Sequence, residues 1–314
     1  MKPLKLPSSP HDGKISASPS PISASILAAR RFSDFVSHFL FHRDAASAVR
    51  SFHLSFDSHL VHVVNAAFID QCVLYAVNHG IRSLRLHARC RPDLTLPNAL
   101  FAAKTLRELK FRQFRYVIWK LKQFSYLQHL KTLYLESSVL VNSDDDGCYS
   151  FLKEPFSGLL ELEKLTIRRS LVCGLVVKAP KLRIIEIIDQ ENSYSHMMGE
   201  IYAPLLTLFR YEGFLPLECS KVNLPILEEI HLSIQKKQEQ VNKFDEEKML
   251  LCVRMLQQLG NAKIVALSFD TLKVLEMDGG VIEQSPCPFP YMKCLKIIKG
   301  RRKISPVLWR VMKK

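Results

Sequence analysis

Residues 81–86 read Ile-Arg-Ser-Leu-Arg-Leu, residues 106–111 Leu-Arg-Glu-Leu-Lys-Phe, and residues 130–135 Leu-Lys-Thr-Leu-Tyr-Leu. All three share one spacing: apolar, two variable residues, apolar, one variable residue, apolar. The spacing recurs at Leu162/Leu165/Ile167, Leu182/Ile185/Ile187, Leu206/Phe209/Tyr211, Leu227/Ile230/Leu232 and Met292/Leu295/Ile297. Val49/Phe52/Leu54 reads as a first copy. A blurred copy lies between Val265 and Met277, either at Val265/Leu267 or at Leu272/Leu275/Met277. From Ile81 to Leu227 the copies follow at steps of 25, 24, 32, 20, 24 and 21 residues. The last two apolar positions of each copy alternate with variable ones, as in a short β-strand with one buried face. Such a strand cannot bury that face alone, whereas stacked neighbours build a continuous core.

Steps mostly between about 20 and 29 residues are those of leucine-rich repeats. The expected fold is therefore an α/β leucine-rich-repeat solenoid, a horseshoe with irregular repeats and an N-terminal helical cap. The competing architecture is one α/β domain with unrelated amphipathic strands. Eight or more copies at similar steps make chance a poor account of the pattern. Helical or irregular segments are expected between the strands. Val61–Asn78 reads as a helix stopped by Gly80, and Phe244–Leu259 as another followed by Gly260. The second helix supplies the extra element that the long interval from Leu227 to Met292 requires. Phe32, Phe35, Val36, Phe39 and Leu40 are read as one apolar helical face capping the first strand. Asn142–Gly147 reads as a solvated turn.

Composition sets the boundaries. The 314 residues carry 44 Lys+Arg against 30 Asp+Glu, a formal charge of +14, with 47% apolar residues. Residues 1–31 hold seven Ser and five Pro with Asp12 as the one acid, and are expected to be a disordered leader. An organelle transit peptide is the alternative reading of that leader. The repeat domain is placed at 32–298 and a basic tail at 299–314. Cys72, Cys90, Cys148, Cys173, Cys219, Cys252, Cys287 and Cys294 form no C-x-x-C pair, so mostly buried, inert thiols in a reducing compartment are expected. No apolar run approaches the length of a membrane span. The expected location is cytoplasmic or nuclear.

Several motifs carry a family resemblance. Phe32-Ser-Asp-Phe-Val-Ser-His-Phe-Leu and Val49-Arg-Ser-Phe-His-Leu resemble the segment that follows the F-box in plant F-box/LRR proteins, including the F-box–LRR–FBD group. Leu96-Pro-Asn-Ala-Leu-Phe and Lys104-Thr-Leu-Arg-Glu-Leu-Lys-Phe resemble that family's repeat signature. Ala179-Pro-Lys-Leu, Ala203-Pro-Leu-Leu and Asn223-Leu-Pro-Ile-Leu-Glu-Glu are similar to its later repeats. Tyr291-Met-Lys-Cys-Leu-Lys-Ile-Ile resembles the strand before or within an FBD region. The resemblance covers residues 32–298 and implies a protein-interaction scaffold, the substrate-recognition half of an SCF ubiquitin ligase subunit. Nothing in Met1–Arg31 resembles the F-box that docks on a Skp-type adaptor, so that adaptor is not among the expected partners.

No P-loop, G-x-G-x-x-G or G-x-S-x-G motif is present, so an enzyme is not expected, and neither is a cofactor. His38/His42, His59/His62 and Asp144–Asp146 lack the companions of a metal site, so no metal is expected. The candidate site is the concave strand surface. Strand residues that flank the inward pairs point out of the stack, and in the N-terminal half they lean basic. Arg85, His87, Lys110, Arg112, Tyr134, Arg168 and Arg210 are the candidate partner-binding residues, and the expected partner is an unidentified target protein, acidic where it docks. The plainer account of these charges is solubility. The alternative function is nucleic-acid binding through this surface and the tail residues Arg301, Arg302, Lys303, Arg310, Lys313 and Lys314. No membrane partner is expected.

Overall fold

The computed structural model describes residues 31, 33–40, 42, 48–55, 66–88, 98–101, 103–120, 126–143, 149–151, 154–170, 175–188, 197–214, 216–235, 246–276 and 286–298. The leader, the tail, Asp144–Asp146 and the His59/His62 pair lie outside these residues, except that Arg31 is helical.

Each copy of the sequence pattern is a strand. In chain order they are β1 (Ser51–Ser55), β2 (Ser83–Ala88), β3 (Glu108–Lys120), β4 (Thr132–Ser143), β6 (Lys164–Arg168), β8 (Ile184–Ile188), β10 (Leu208–Gly213), β12 (Glu229–Ile234), β13 (Ile264–Ser268) and β14 (Cys294–Ile298). They lie side by side in that order in one sheet, every neighbour parallel. β5 (Tyr149–Phe151) adds antiparallel to the far end of β4. The register holds across the repeat rows and shifts between β3 and β4 beyond Arg112, where pairing resumes at Val117 and Ser138. Phe52, Leu84, Leu109, Leu133, Leu165, Ile185, Phe209, Ile230, Val265 and Leu295 form one row, and Leu54 to Ile297 form the row two residues on. From Leu84 to Val265 the first row is at most 1% exposed. Burying each such side chain contributes about 1.5–3 kcal/mol against the entropy of ordering it. The fold is thus a leucine-rich-repeat solenoid, as the pattern implies.

Two local devices repeat with the strands. First, from β3 onward a tight turn precedes each of these parallel strands and closes with an amide three residues on, as in Leu182 N–H to Ala179 C=O at 3.2 Å and Leu206 N–H to Ala203 C=O at 3.0 Å. Pro180, Pro204, Pro225 and Pro290 occupy its second position, where the fixed φ of proline fits. Second, the carbonyl just before one strand accepts both amides that open the next. Arg50 C=O takes Arg82 and Ser83 N–H, Arg82 C=O takes Arg107 and Glu108 N–H, and the chain of acceptors continues through Arg107, Lys131, Glu163, Arg183, Thr207 and Glu228 to Lys263. The repeat is therefore defined at the strand entry, and length varies freely elsewhere, from 20 residues (Glu163 to Arg183) to 35 (Glu228 to Lys263).

Where the sequence left two placements for a blurred repeat, the structure takes the first. Val265 and Leu267 pair with Ile230 and Leu232, while Leu272 and Leu275 lie buried on helix α5 (Phe269–Glu276). α5 follows β13 without a break because Ser268 caps it: Thr271 N–H donates to Ser268 Oγ at 3.1 Å. Thr271 Oγ1 also accepts from Ile234 N–H at 2.8 Å and donates to Leu232 C=O at 3.2 Å, which ties α5 to β12.

The other helices are α1 (residues 33–40), α2 (Ala66–Asn78), α3 (Asn98–Phe101) and α4 (Glu246–Gln258). α2 ends at Gly80, whose φ of +73° is cheap only for glycine. Residues 61–65 and 244–245 of the two expected helices lie outside the described residues.

Four expectations need correction. The capping helix buries Leu40 and half-buries Val36, but Phe35 and Phe39 are 67% and 58% exposed and stack on each other, because one apolar stripe a turn wide suffices to cover β1. The segments between strands are not all helical or irregular: β7 (Leu175–Lys178), β9 (Met197–Tyr202) and β11 (Glu218–Asn223) form a second parallel sheet, and Leu175, Val177 and Ile201 close the same core from behind. Asn142 and Ser143 belong to β4 rather than to a turn. The final repeat points its apolar pair toward the stack, yet Leu295 is half-buried and Ile297 is 42% exposed, since β14 has no described strand on its outer side.

Candidate functional site

The outward positions of the ladder fall into three rows. The middle row runs His53, Arg85, Lys110, Tyr134, Thr166, Glu186, Arg210, His231, Ala266 and Lys296. The row beyond it includes His87, Arg112, Glu136, Arg168, Ile188 and Glu212. The parallel register fixes neighbours about 4.8 Å apart, so adjacent repeats exchange side-chain contacts along each row.

The expected binding residues do share this face, but they are not bare cations. Arg85 and Lys110 both bind Glu108, at 3.2 and 2.9 Å. Ser83 Oγ donates to the same carboxylate at 2.7 Å. Partial burial pushes the Glu108 pKa up, but these donors and charges outweigh it and hold the group below the ordinary carboxylate value. Lys164 and Thr166 hold Glu186 in the same way, at 2.9 and 2.8 Å, with the same net direction against its own burial. His231 and Lys296, each at 2.9 Å, hold Glu229 low. Arg210 meets Glu212 more loosely at 3.8 Å, and His87 Nδ1 lies 3.2 Å from Ser55 Oγ.

The densest cluster centres on Glu136. Although its strand position is outward, it is 1% exposed, because arginines from both sides close over it. Arg112 Nε lies 3.1 Å from Oε2, Arg168 Nε 3.8 Å from Oε1, and Arg169 Nη2 2.5 Å from Oε1. Tyr134 donates its hydroxyl to Oε2 at 2.7 Å. Burial and then the Glu136 carboxylate push the Tyr134 phenol up to about 12, so it stays a donor at neutral pH. Arg169 reaches inward because its φ is +45°, and the equivalent residue of the preceding repeat, Ser137, has φ +55°. Both leave the β4–β6 pairing, which ends at Glu136 and Arg168, through the left-handed region, a strained choice for residues with a Cβ. Ser170 stabilises this exit, its hydroxyl accepting from Ser138 N–H at 3.0 Å and donating to Arg168 C=O at 2.8 Å.

Glu136 as a hub and Arg169 as its partner were not legible. Outward position implied exposure for the first, and nothing in Ile167-Arg-Arg-Ser marks a left-handed residue. Toward the C-terminal end of the sheet, a cavity of about 180 Å³ is lined by Arg210, Glu212, His231, Ser268 and Asp270 among others.

Among the described residues, no group of three or more His, Cys, Asp or Glu is placed to hold a metal ion, and no helix is long and apolar enough to cross a membrane. His38 on α1 and His42 just beyond it are exposed, with ring centroids 3.9 Å apart. The described thiols are more varied than expected. Burial raises Cys72 and Cys252 to about 11 and about 12, Cys219 is half-buried, and Cys287 and Cys294 are exposed.

No family model matches the chain. An F-box/LRR-repeat protein of Arabidopsis thaliana is 28% identical over 218 residues, covering 65% of this chain and 43% of that protein. A second F-box/LRR-repeat protein of that plant is 25% identical over 209 residues, covering 63% and 42%. An F-box protein of the same plant is 28% identical over 200 residues, covering 60% and 44%. The chain thus spans less than half the length of these curated relatives. Among solved structures, an internalin of Listeria monocytogenes aligns over 91% of this chain and 95% of its own at 13% identity, with a TM-score of 0.28. In sequence the chain is similar to plant F-box/LRR-repeat proteins, as its motifs imply.

Proposed function

We propose that this chain is a non-catalytic recognition scaffold whose concave strand face docks an acidic segment of a target protein. Its similarity to plant F-box/LRR-repeat proteins supports an interaction role, and the ubiquitin-ligase setting of F-box proteins in cytoplasm or nucleus is the context we propose for it. Binding of a Skp-type adaptor is not part of this reading.

The observation that carries the proposal is the uneven charge of one continuous face. On β2 to β6 and the residue after it, Arg85, Lys110, Arg112, Lys164, Arg168 and Arg169 stand with Glu108 and Glu136. On β8 to β14, Glu186, Glu212 and Glu229 stand with Arg210 and Lys296. The first half keeps a surplus of cations after these ion pairs are counted, and the second half does not. Arg and Tyr are also the residue types that most often anchor interfaces. The seven residues named from the sequence fall in this account as one surface, with Arg210 at its neutral end.

Reversing Arg85 and Lys110 together to Glu tests it. Recovery of the co-purifying target, and retention of an Asp/Glu-rich peptide pool, are expected to fall at least tenfold while far-UV circular dichroism is unchanged. Unchanged recovery overturns the proposal. So does binding of unrelated oligonucleotides with a steep salt slope in place of the acidic pool, which is the signature of phosphate-backbone contact.

A further inference from the structure

The ten repeat strands run parallel, so all of them enter the main sheet from one edge. The residue just before each strand is aligned there by the double-acceptor carbonyl. Arg50, Arg82, Arg107 and Lys131 stand in consecutive repeats, joined by amide-to-carbonyl bonds of 2.9, 2.8 and 2.8 Å. Arg183, Lys263 and Lys293 hold the same place farther along. The two acids of this row, Glu163 and Glu228, are taken up by Lys131 at 2.7 Å and Lys263 at 3.8 Å. Arg107 donates to the Lys104, Leu106 and His129 carbonyls, which leaves its charge in place. Arg50, Arg82, Arg183 and Lys293 are exposed and have no side-chain partner among the described residues. Like charges side by side on neighbouring strands disfavour a sheet, so packing of the repeats gives no reason for this row.

The same edge carries exposed apolar groups. Leu160, Leu205, Ile226 and Tyr291 occupy the turns that lead into β6, β10, β12 and β14, and Tyr126 directly precedes the turn into β4. They are 41–67% exposed and make up five of the eleven large apolar side chains left exposed among the described residues. The position tolerates polar residues, because Lys181 and Asn261 take the place of Leu205 in the turns before β8 and β13.

We propose that this edge lies against an anionic lipid membrane surface, with the unpaired cations at the headgroups and the turn side chains entering the interface. The sequence implies no membrane partner because it lacks a spanning run, but a surface contact needs none. Cations are drawn to an anionic leaflet within a Debye length, and apolar and tyrosine side chains leave water at headgroup level. At about 4.8 Å per strand the edge extends over roughly 40 Å. Toward its C-terminal half Arg183, Leu205, Ile226, Lys263, Tyr291 and Lys293 interleave charge with apolar surface. A membrane meets such an edge along its whole length. The concave face stays open to a protein target, so the inference is independent of the docking role proposed above.

The test uses the full chain and vesicles of phosphatidylcholine with or without about one-third phosphatidylserine. At about 0.1 M salt, co-sedimentation with the anionic vesicles is expected to exceed that with the neutral ones at least tenfold. Arg82→Gln/Arg183→Gln is expected to lower anionic binding more than tenfold. Arg254→Gln/Lys273→Gln removes the same charge from exposed positions on α4 and α5 and is expected to leave it nearly unchanged. Leu205→Ser/Ile226→Ser keeps the charge and is expected to lower binding several-fold. All six side chains are exposed, and circular dichroism confirms that each variant is folded. Equal losses in the two charge variants mean attraction by net charge alone and overturn the proposal. So do equal binding to both vesicle types, parental binding by Leu205→Ser/Ile226→Ser, and retention on heparin without retention on vesicles. Absence of vesicle binding by the folded chain overturns it too and leaves the acidic-segment reading in place.

Discussion

Glu136 shows how a charged residue is kept in a site that excludes water. Isolated, a buried carboxylate costs several kcal/mol in lost hydration. Here Arg112, Arg168, Arg169 and the Tyr134 hydroxyl replace that hydration. Removing the charge while keeping the shape leaves three guanidiniums facing one another. Glu136→Gln is therefore expected to destabilise the chain by about 3–5 kcal/mol, the range for breaking a buried pair from one side, read from the urea midpoint. Tyr134→Phe removes one charge-assisted hydrogen bond and is expected to cost about 1.5–3 kcal/mol. The order of the two losses is the discriminating result. A Glu136→Gln variant as stable as the parent would mean that the arginines relax into solvent and that the cluster is not fixed. The same comparison shows where reading from sequence stops. Alternation along Thr132–Glu136 correctly placed Leu133 and Leu135 inside and Tyr134 and Glu136 outside. It could not show that neighbours 32 and 33 residues later, Arg168 and Arg169, fold over Glu136 and bury it.

At the level of the elements, the strands were legible because each opens with a period of two and, from β3 onward, follows a turn of fixed chemistry. The segments between them were not, because a solenoid constrains only the strand entry. Once the double-acceptor carbonyl and the proline turn are in place, a helix such as α4 or a strand such as β9 closes the core equally well. Two positions make this concrete. Gly213 ends β10 on the same face as Tyr211, and a Cβ there would sit 2.4 Å from the Tyr211 hydroxyl oxygen and 2.8 Å from its ring. The aromatic residue fills the row only because the next inward residue has no side chain. Gly213→Ala is expected to cost about 1–3 kcal/mol by overpacking, a loss visible as a lowered Tm. A neutral result would mean that the Tyr211 ring swings aside freely. Thr271 is the other position. Its hydroxyl serves Ile234 N–H, Leu232 C=O and Ser268 Oγ within a site that is 0% exposed. Thr271→Val keeps the volume and orphans the amide, so about 1–3 kcal/mol is expected to be lost. Hydrogen exchange at Ile234 should accelerate in this variant, and protection equal to the parent's would show that the α5–β12 tie is dispensable.

Across the whole molecule, the outward rows behave as one electrostatic lattice stretched over an apolar ladder. The ladder itself has no titratable group in its inward rows apart from Tyr211, so its contribution is insensitive to acid. The lattice is not. Glu108, Glu186 and Glu229 all sit below the ordinary carboxylate value in the folded chain. Folding therefore favours their ionised form, and in the window below the ordinary value of 4.5 the unfolded chain binds more protons than the folded one. Stability from these groups is complete above that value and is lost as pH falls through their lower folded values. Thermal midpoints are accordingly expected to be flat near neutrality and to decline below about pH 4.5. The triple variant Glu108→Gln/Glu186→Gln/Glu229→Gln should start lower at pH 7 and decline less steeply in acid, so that the two curves converge. Because the paired lysines and arginines are mostly 36–53% exposed, added salt should narrow the gap at pH 7. Parallel pH curves for parent and triple variant would show that acid sensitivity arises elsewhere, and that the three carboxylates serve the concave face as binding determinants without stabilising the repeats.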